Sequence, residues 1–208
     1  MTVGSEVTPS SAEVPVSFRG QAEYWGVWPA PGGEAPKWPG NQGKRVFAYL
    51  HAFRRLPRLL ELLSQAACST LVYTDVVDPD LQRRFESATL RFENRRLDLA
   101  AVGRECDLAI LHGGHSTTAS MLLAGKPILQ VPLQAEQNLT SIAVVRLGAG
   151  LVVQPSEFEE VPSKLATILD LEKHAQYAEA ARRFAAQHAD LDPQRQIHRI
   201  VERLESSL

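Results

Sequence analysis

Residues 107–124 read DLAILHGGHSTTASMLLA. The apolar run Asp107-Leu108-Ala109-Ile110-Leu111 has the length and continuity of a strand buried on both faces. Two glycines follow, and Ser116, Thr117 and Thr118 stand where a helix must start, ahead of the helix-forming run 118–124. Glycine lets the backbone turn sharply and lets a ligand come close to the main chain. The hydroxyls can cap the helix or donate to an anion, and the free N–H groups of the first turn favour a phosphate there. His112, at the strand's last position, aims its ring at the same spot and can donate to a phosphate oxygen. The same letters also suit a plainer reading, in which Gly113-Gly114 is an ordinary strand-to-helix turn and the hydroxyls are only an N-cap.

Outward from this stretch, short apolar runs alternate with amphipathic ones. Val46–Leu50, Thr70–Tyr73, Thr89–Phe92, Pro127–Val131 and Leu151–Val153 read as further strands. Leucines at 56, 59, 60 and 63 mark one face of a helix over 56–67, and a second helix over 138–147 is stopped by Gly148. After residue 153 only helices are expected, near 160–171, 172–188 and 193–204. Strands alternating with helices imply crossovers, hence a six-stranded parallel sheet in a doubly wound, Rossmann-like α/β domain. Ligands in that architecture bind outside the carboxyl ends of the strands, so the loops after Leu50, Leu111 and Val131 are where a site belongs.

One helix beyond the glycines comes Ala124-Gly125-Lys126-Pro127, then the strand 128–131, Pro132, Glu136-Gln137, and Leu147-Gly148-Ala149-Gly150. Pro132 ends the strand sharply. Glu136 and Gln137 are expected on a loop at the same edge as His112. A carboxylate beside an amide suits adjacent sugar hydroxyls, each of which donates and accepts; an exposed Glu-Gln pair is also ordinary surface.

The order His-Gly-Gly-x-x-Thr, Ala-Gly-x-Pro, strand, Pro, Glu-Gln and Leu-Gly-Ala-Gly over residues 106–150 closely resembles the donor-binding signature of family 1 and related glycosyltransferases of the GT-B fold. These include plant secondary-product, macrolide and glucuronosyl transferases. The resemblance implies that His112, Gly113, Gly114, Ser116 and Thr117 hold the diphosphate of a nucleotide-sugar, and that Glu136 and Gln137 hold the sugar. Glu136 departs mildly from the commoner Asp. The family's base-binding Trp- or Val-x-Pro-Gln segment is replaced here by Phe92-Glu93-Asn94-Arg95-Arg96-Leu97-Asp98, leaving Phe92 and Leu97 as the nucleoside candidates. The Arg95-Arg96 pair reads either as facing the nucleotide or as a solvated edge. A UDP-sugar is the substrate so implied, with no cofactor and no metal.

The 208 residues, 44% apolar and 22% charged, suit one globular domain with loose ends. A net charge of −2 leaves no electrostatic footprint for nucleic acid. No apolar run approaches the roughly 20 residues of a membrane span, and no basic-then-apolar leader opens the chain, so a cytoplasmic protein is expected. Cys68 and Cys106 lack metal-ligand spacing and read as buried reduced thiols. Residues 1–23 read as a loose arm. Residues 24–45 hold all three tryptophans among prolines and glycines and resemble the linker into the C-terminal domain of bacterial members; 46–208 is the nucleotide-sugar-binding domain.

The resemblance places the acceptor pocket and a catalytic His on an N-terminal domain, which 23 residues before Tyr24 cannot supply. The catalytic base is therefore expected on that missing domain; none of the six histidines here has a clear claim to the role, His51, just after the first strand, being the nearest candidate. A transferase donor domain, truncated or half of a split enzyme as in dolichol-linked glycan assembly, is one reading. A non-catalytic nucleotide-sugar-binding partner or activator is the alternative. Ile197, Ile200, Val201 and Leu204 share one face of the last helix, which suits an N-terminal-domain-like partner or a homodimer.

Overall fold

The computed structural model describes residues 32–40, 43–74 and 78–206. The loose-arm assignment, and Trp25 and Trp28 with it, lie outside the described residues. Six parallel strands form one sheet: β1 (Lys44–Tyr49), β2 (Cys68–Tyr73), β3 (Leu90–Glu93), β4 (Leu108–Leu111), β5 (Ile128–Gln130) and β6 (Gly150–Val152). Their order is β3-β2-β1-β4-β5-β6. β1 is therefore flanked by β2 on one side and β4 on the other, and the direction of winding reverses between β1 and β4.

The described residues form eight α-helices, α1 (Leu56–Gln65), α2 (Pro79–Phe85), α3 (Leu99–Glu105), α4 (His115–Leu123), α5 (Ala135–Arg146), α6 (Val161–Leu169), α7 (Leu171–Gln187) and α8 (Pro193–Glu205), of which the first seven contribute to the core against the sheet. A 3-10 turn, Pro155–Glu160, leads into α6. Alternation along each strand divides the core in two. Val46, Ala48, Val72, Phe92 and Ile110 meet the α1 leucines, Phe85 of α2 and Val161, Leu165 and Ile168 of α6. Phe47, Leu71, Ala109 and Leu111 meet Val102 of α3, Met121 of α4, Val144 of α5 and Phe184 of α7. Both cysteines are free and buried; burial pushes the Cys106 thiol up to about 12, so it stays neutral.

Two helices escape the sequence pattern. α2 and α3 are seven residues each, too short to show a period, and an aspartate starts both. Asp78 accepts from Asp80 N at 2.9 Å, and Asp98 accepts from Ala100 N at 2.9 Å and Ala101 N at 3.2 Å. A second difference bears on function. α5 begins at Ala135, so Glu136 and Gln137 are in its first turn and not on a loop. Its N-cap, Gln134, supplies no side-chain cap, which is why the start was illegible.

The segment 32–40 packs along the edge of the α3 layer. Glu34 N donates to Arg96 O at 2.8 Å and Asp98 N donates to Glu34 O at 2.7 Å. Trp38 Nε1 donates to Glu105 Oε2 at 2.9 Å under the Arg45 guanidinium. Glu93, at the end of β3, anchors the loop that follows. Its Oε1 accepts the N–H groups of Asn94 and Arg95, each at 3.1 Å. Burial pushes the Glu93 carboxyl up, but the Arg95 N–H and guanidinium and the Asn94 N–H outweigh it and hold it below the ordinary value. A depressed folded-state value means stability that is present above the unfolded carboxylate range and is lost as pH falls through the folded value. Glu93→Gln is expected to lower the melting temperature at pH 7, with the gap to wild type closing below about pH 4; melting curves against pH read this directly.

Candidate functional site

The carboxyl ends of β1 and β4 lie side by side at the point where the winding reverses. α1 leaves β1 toward one face and α4 leaves β4 toward the other, which opens a crevice between them. His112 stands at its floor, immediately after β4 and 6% exposed. Its backbone N–H donates to Tyr49 O at 3.2 Å, and its Nδ1 lies 3.3 Å from the same oxygen. Tyr49 meets the imidazole edge-on at 4.6 Å between ring centroids. His51, two residues beyond β1, rests against the same ring at 3.9 Å between centroids, tilted 45°.

Gly113 has φ +97°, and a Cβ there would stand 2.7 Å from Gln137 O and 2.8 Å from Gln130 Oε1. That contact sets the start of α5 against the start of α4. Gly114 is the N-cap of α4 and has no side chain to close it, and Gln134 leaves α5 equally open. By contrast, aspartates 78, 98, 170 and 192 cap α2, α3, α7 and α8. Both helices at the crevice thus present first-turn N–H groups and the positive ends of their dipoles to one place. Ser116 is exposed in the first turn of α4. Thr117, one residue on, is buried and lines a pocket with Tyr49, Tyr73, Arg96, Leu97 and Leu99.

The structure therefore brings His112, Gly113, Gly114, Ser116 and Thr117 together, with Leu97 on the same pocket. Gln137 is buried beside Gly113, and its Oε1 accepts from Leu133 N at 2.8 Å, leaving its amide N–H groups to offer a ligand. Glu136, next to it, is exposed. Phe92 does not join them. It alternates with Arg91 and Glu93 along β3 onto the α1–α2 face, the opposite side of the sheet from Leu97. The arginine pair divides: Arg95 is tied to Glu34 at 3.1 Å and to Glu93 at 3.5 Å, while Arg96 lines the pocket.

Several residues of the site carry no signal in the sequence. Tyr49 and Tyr73 end β1 and β2, 4.8 Å apart between centroids, and their rings wall the pocket. Gln130, fully buried on β5, donates to Thr118 Oγ1 at 3.2 Å and accepts from Ser141 Oγ at 3.2 Å. It ties α4 to α5 beneath the glycines. A lone glutamine at the end of an apolar strand, with a hydroxyl on each neighbouring helix, is the sole hint of that bridge.

Known proteins share this fold. Over 104 residues the chain is 31% identical to the NDP-glycosyltransferase YjiC of Bacillus licheniformis, covering 44% of this chain and 26% of that protein. The glycosyltransferase SsfS6 of Streptomyces sp. SF2575, solved with thymidine diphosphate, superimposes with a TM-score of 0.59 at 26% identity, over 79% of this chain and 42% of that one. The spinosyn rhamnosyltransferase SpnG, solved with spinosyn aglycone, gives a TM-score of 0.67 at 18% identity, over 93% and 55%. The chain thus spans about a quarter of the curated relative and about half of these solved chains. Among the described residues no helix is long and apolar enough to cross a membrane. The model of the glycosyltransferase family 28 C-terminal domain matches residues 85–194, from the end of α2 to the start of α8, and the chain belongs to that family.

Proposed function

We propose that this domain grips the diphosphate and the sugar of a nucleotide-sugar, a UDP-sugar, for inverting transfer to an acceptor hydroxyl. The observation that carries the reading is the meeting of two uncapped helix N-termini at Gly113, with His112 in the crevice floor. In the transfer a general base takes the acceptor's proton and the oxygen attacks the anomeric carbon. The bond from that carbon to the diphosphate breaks, and its electron pair goes to the departing oxygen. The α4 N–H groups, His112 and Thr117 stabilise the charge that develops there. Gln137 and Glu136 hold the sugar, Leu97 borders the nucleoside, and no cofactor enters.

The acceptor pocket and the base come from an N-terminal-domain-like half. The face of α8 with Ile197, Val201 and Leu204 exposed supports a protein partner, either that half or a second copy. On its own the domain then binds donor without turnover, as a non-catalytic binding partner also would. Calorimetry with UDP, thymidine diphosphate and UDP-sugars tests the common part. Thymidine diphosphate belongs in the panel because SsfS6 carries it. Wild type is expected to bind UDP, and His112→Ala to lose roughly 10–100-fold in affinity, the worth of a hydrogen bond to a charged group. No heat with any nucleoside diphosphate would sink the proposal.

A further inference from the structure

We propose that Gln130, on the strand behind the crevice, is a positioning residue. It sets the separation between the starts of α4 and α5 and so favours a diphosphate over a monophosphate. The inference rests on the nucleotide-sugar reading above and adds to it a residue that touches no ligand. Gln130 closes β5 after Ile128 and Leu129, and all three are fully buried. An apolar side chain fills such a place without desolvation cost, whereas an amide there must be hydrogen-bonded. Even a satisfied buried amide adds little net stability over a well-packed apolar group. What it adds is a fixed geometry.

The peptide unit between Gln130 and Val131 is held from both sides of the sheet. Its N–H donates to Leu111 O at the end of β4, at 2.7 Å, and its carbonyl accepts from Val153 N, just past β6, at 2.8 Å. From that anchored backbone the side chain reaches both helices. Nε2 donates to Thr118 Oγ1 of α4, and Oε1 accepts from Ser141 Oγ of α5, each at 3.2 Å. Both hydroxyls are buried. A hydroxyl donates as well as accepts, so the bridge stands in either orientation of the amide.

The bridge continues to the crevice itself. Ser141 Oγ also donates to Gln137 O, in the first turn of α5, at 2.8 Å. Gln137 O and Gln130 Oε1 flank Gly113, 2.7 Å and 2.8 Å from where its Cβ would stand. α5 therefore cannot slide along α4 without breaking one of these hydrogen bonds. Two phosphoryl groups joined through one oxygen have a fixed span. The start of α4 can meet one of them alone, but both helix ends meet the pair only at the right separation. A misplacement of about 1 Å in a binding group costs an order of magnitude or more.

Calorimetry on the full chain with UDP and UMP tests the role, at a temperature where circular dichroism shows each variant folded. Wild type is compared with Gln130→Met and with the triple variant Gln130→Met, Thr118→Val, Ser141→Ala. Gln130→Met keeps the length of the side chain and removes both hydrogen bonds. It is expected to melt lower, because two buried hydroxyls lose a partner, and to bind UDP about 10-fold more weakly with UMP within about twofold. The triple variant removes those hydroxyls, so it should recover most of the melting temperature while keeping the loss of UDP. It carries the test if Gln130→Met alone does not fold. If UDP affinity returns with stability in the triple variant, or UDP and UMP weaken by one common factor, Gln130 only supports the fold and the proposal is overturned. UDP bound by both variants as by wild type overturns it too. Wild type binding no nucleoside diphosphate would instead remove the functional reading beneath it.

Discussion

Gly150→Ala is expected to destabilise this domain strongly. Gly150 opens β6 and pairs with Ile128 of β5. A Cβ on it would stand 1.9 Å from Ile128 O and 2.8 Å from Ile128 C, both main-chain atoms of the strand to which β6 is paired. Neither atom can give way without parting the two strands, so one methyl group acts as gross overpacking. A cost on the order of 4 kcal/mol is expected, above the usual range for core overpacking. For a chain of this size that is a drop of about 10 °C in melting temperature. Gly148, two residues earlier, is the control. It closes α5 with φ +69°, and a Cβ there would meet only Ala180 Cβ at 3.9 Å. Gly148→Ala should cost about 1 kcal/mol, the left-handed backbone alone. Equal melting temperatures for the two variants would refute the argument.

The second large effect falls on binding and leaves the fold standing. Gly114 has φ −62°, which any residue adopts, so alanine there is acceptable to the backbone. Its methyl, however, would stand 2.9 Å from His112 Nε2, in the space where the proposed function puts a phosphate oxygen. The imidazole is hemmed by Tyr49 and His51 and has little room to yield. Gly114→Ala is expected to stay folded and to melt a few degrees below wild type, since only the imidazole must shift and the backbone is unstrained. It should bind UDP at least about 100-fold more weakly, two hydrogen-bond equivalents. Gly113→Ala should lose binding as well and also melt lower, since its backbone is left-handed and its Cβ would press on Gln137 O. The contrast between the glycines is the measurement that matters, read by titration beside melting. Undiminished UDP binding by Gly114→Ala would show that the anion does not sit between His112 and α4.

The strands and most helices were legible because each is a local pattern. The apolar runs at 46–50 and 107–111 and the leucines at 56, 59, 60 and 63 announce their elements within a dozen residues. α2 and α3 stayed hidden, being two turns long. The start of α5 stayed hidden because Gln134 caps nothing. Those few residues moved Glu136 and Gln137 from a loop to a helix end, which changes what they can do. Phe92 illustrates the opposite failure. It is close in sequence to the pocket-lining Leu97, yet strand alternation sends it to the other face of the sheet.

By itself, then, the sequence determined the alternation of elements, the glycine turn with its hydroxyls, and the family those residues mark. Tertiary structure alone decided that β1 pairs with β4. That pairing sets Tyr49 O against His112, 63 residues away, brings His51 onto the same ring, and lays Gln130 between two helices. Periodicity is carried by neighbours along the chain, whereas a crevice is made by strand order. Strand order depends on how all six strands and their covering helices bury their apolar faces at once.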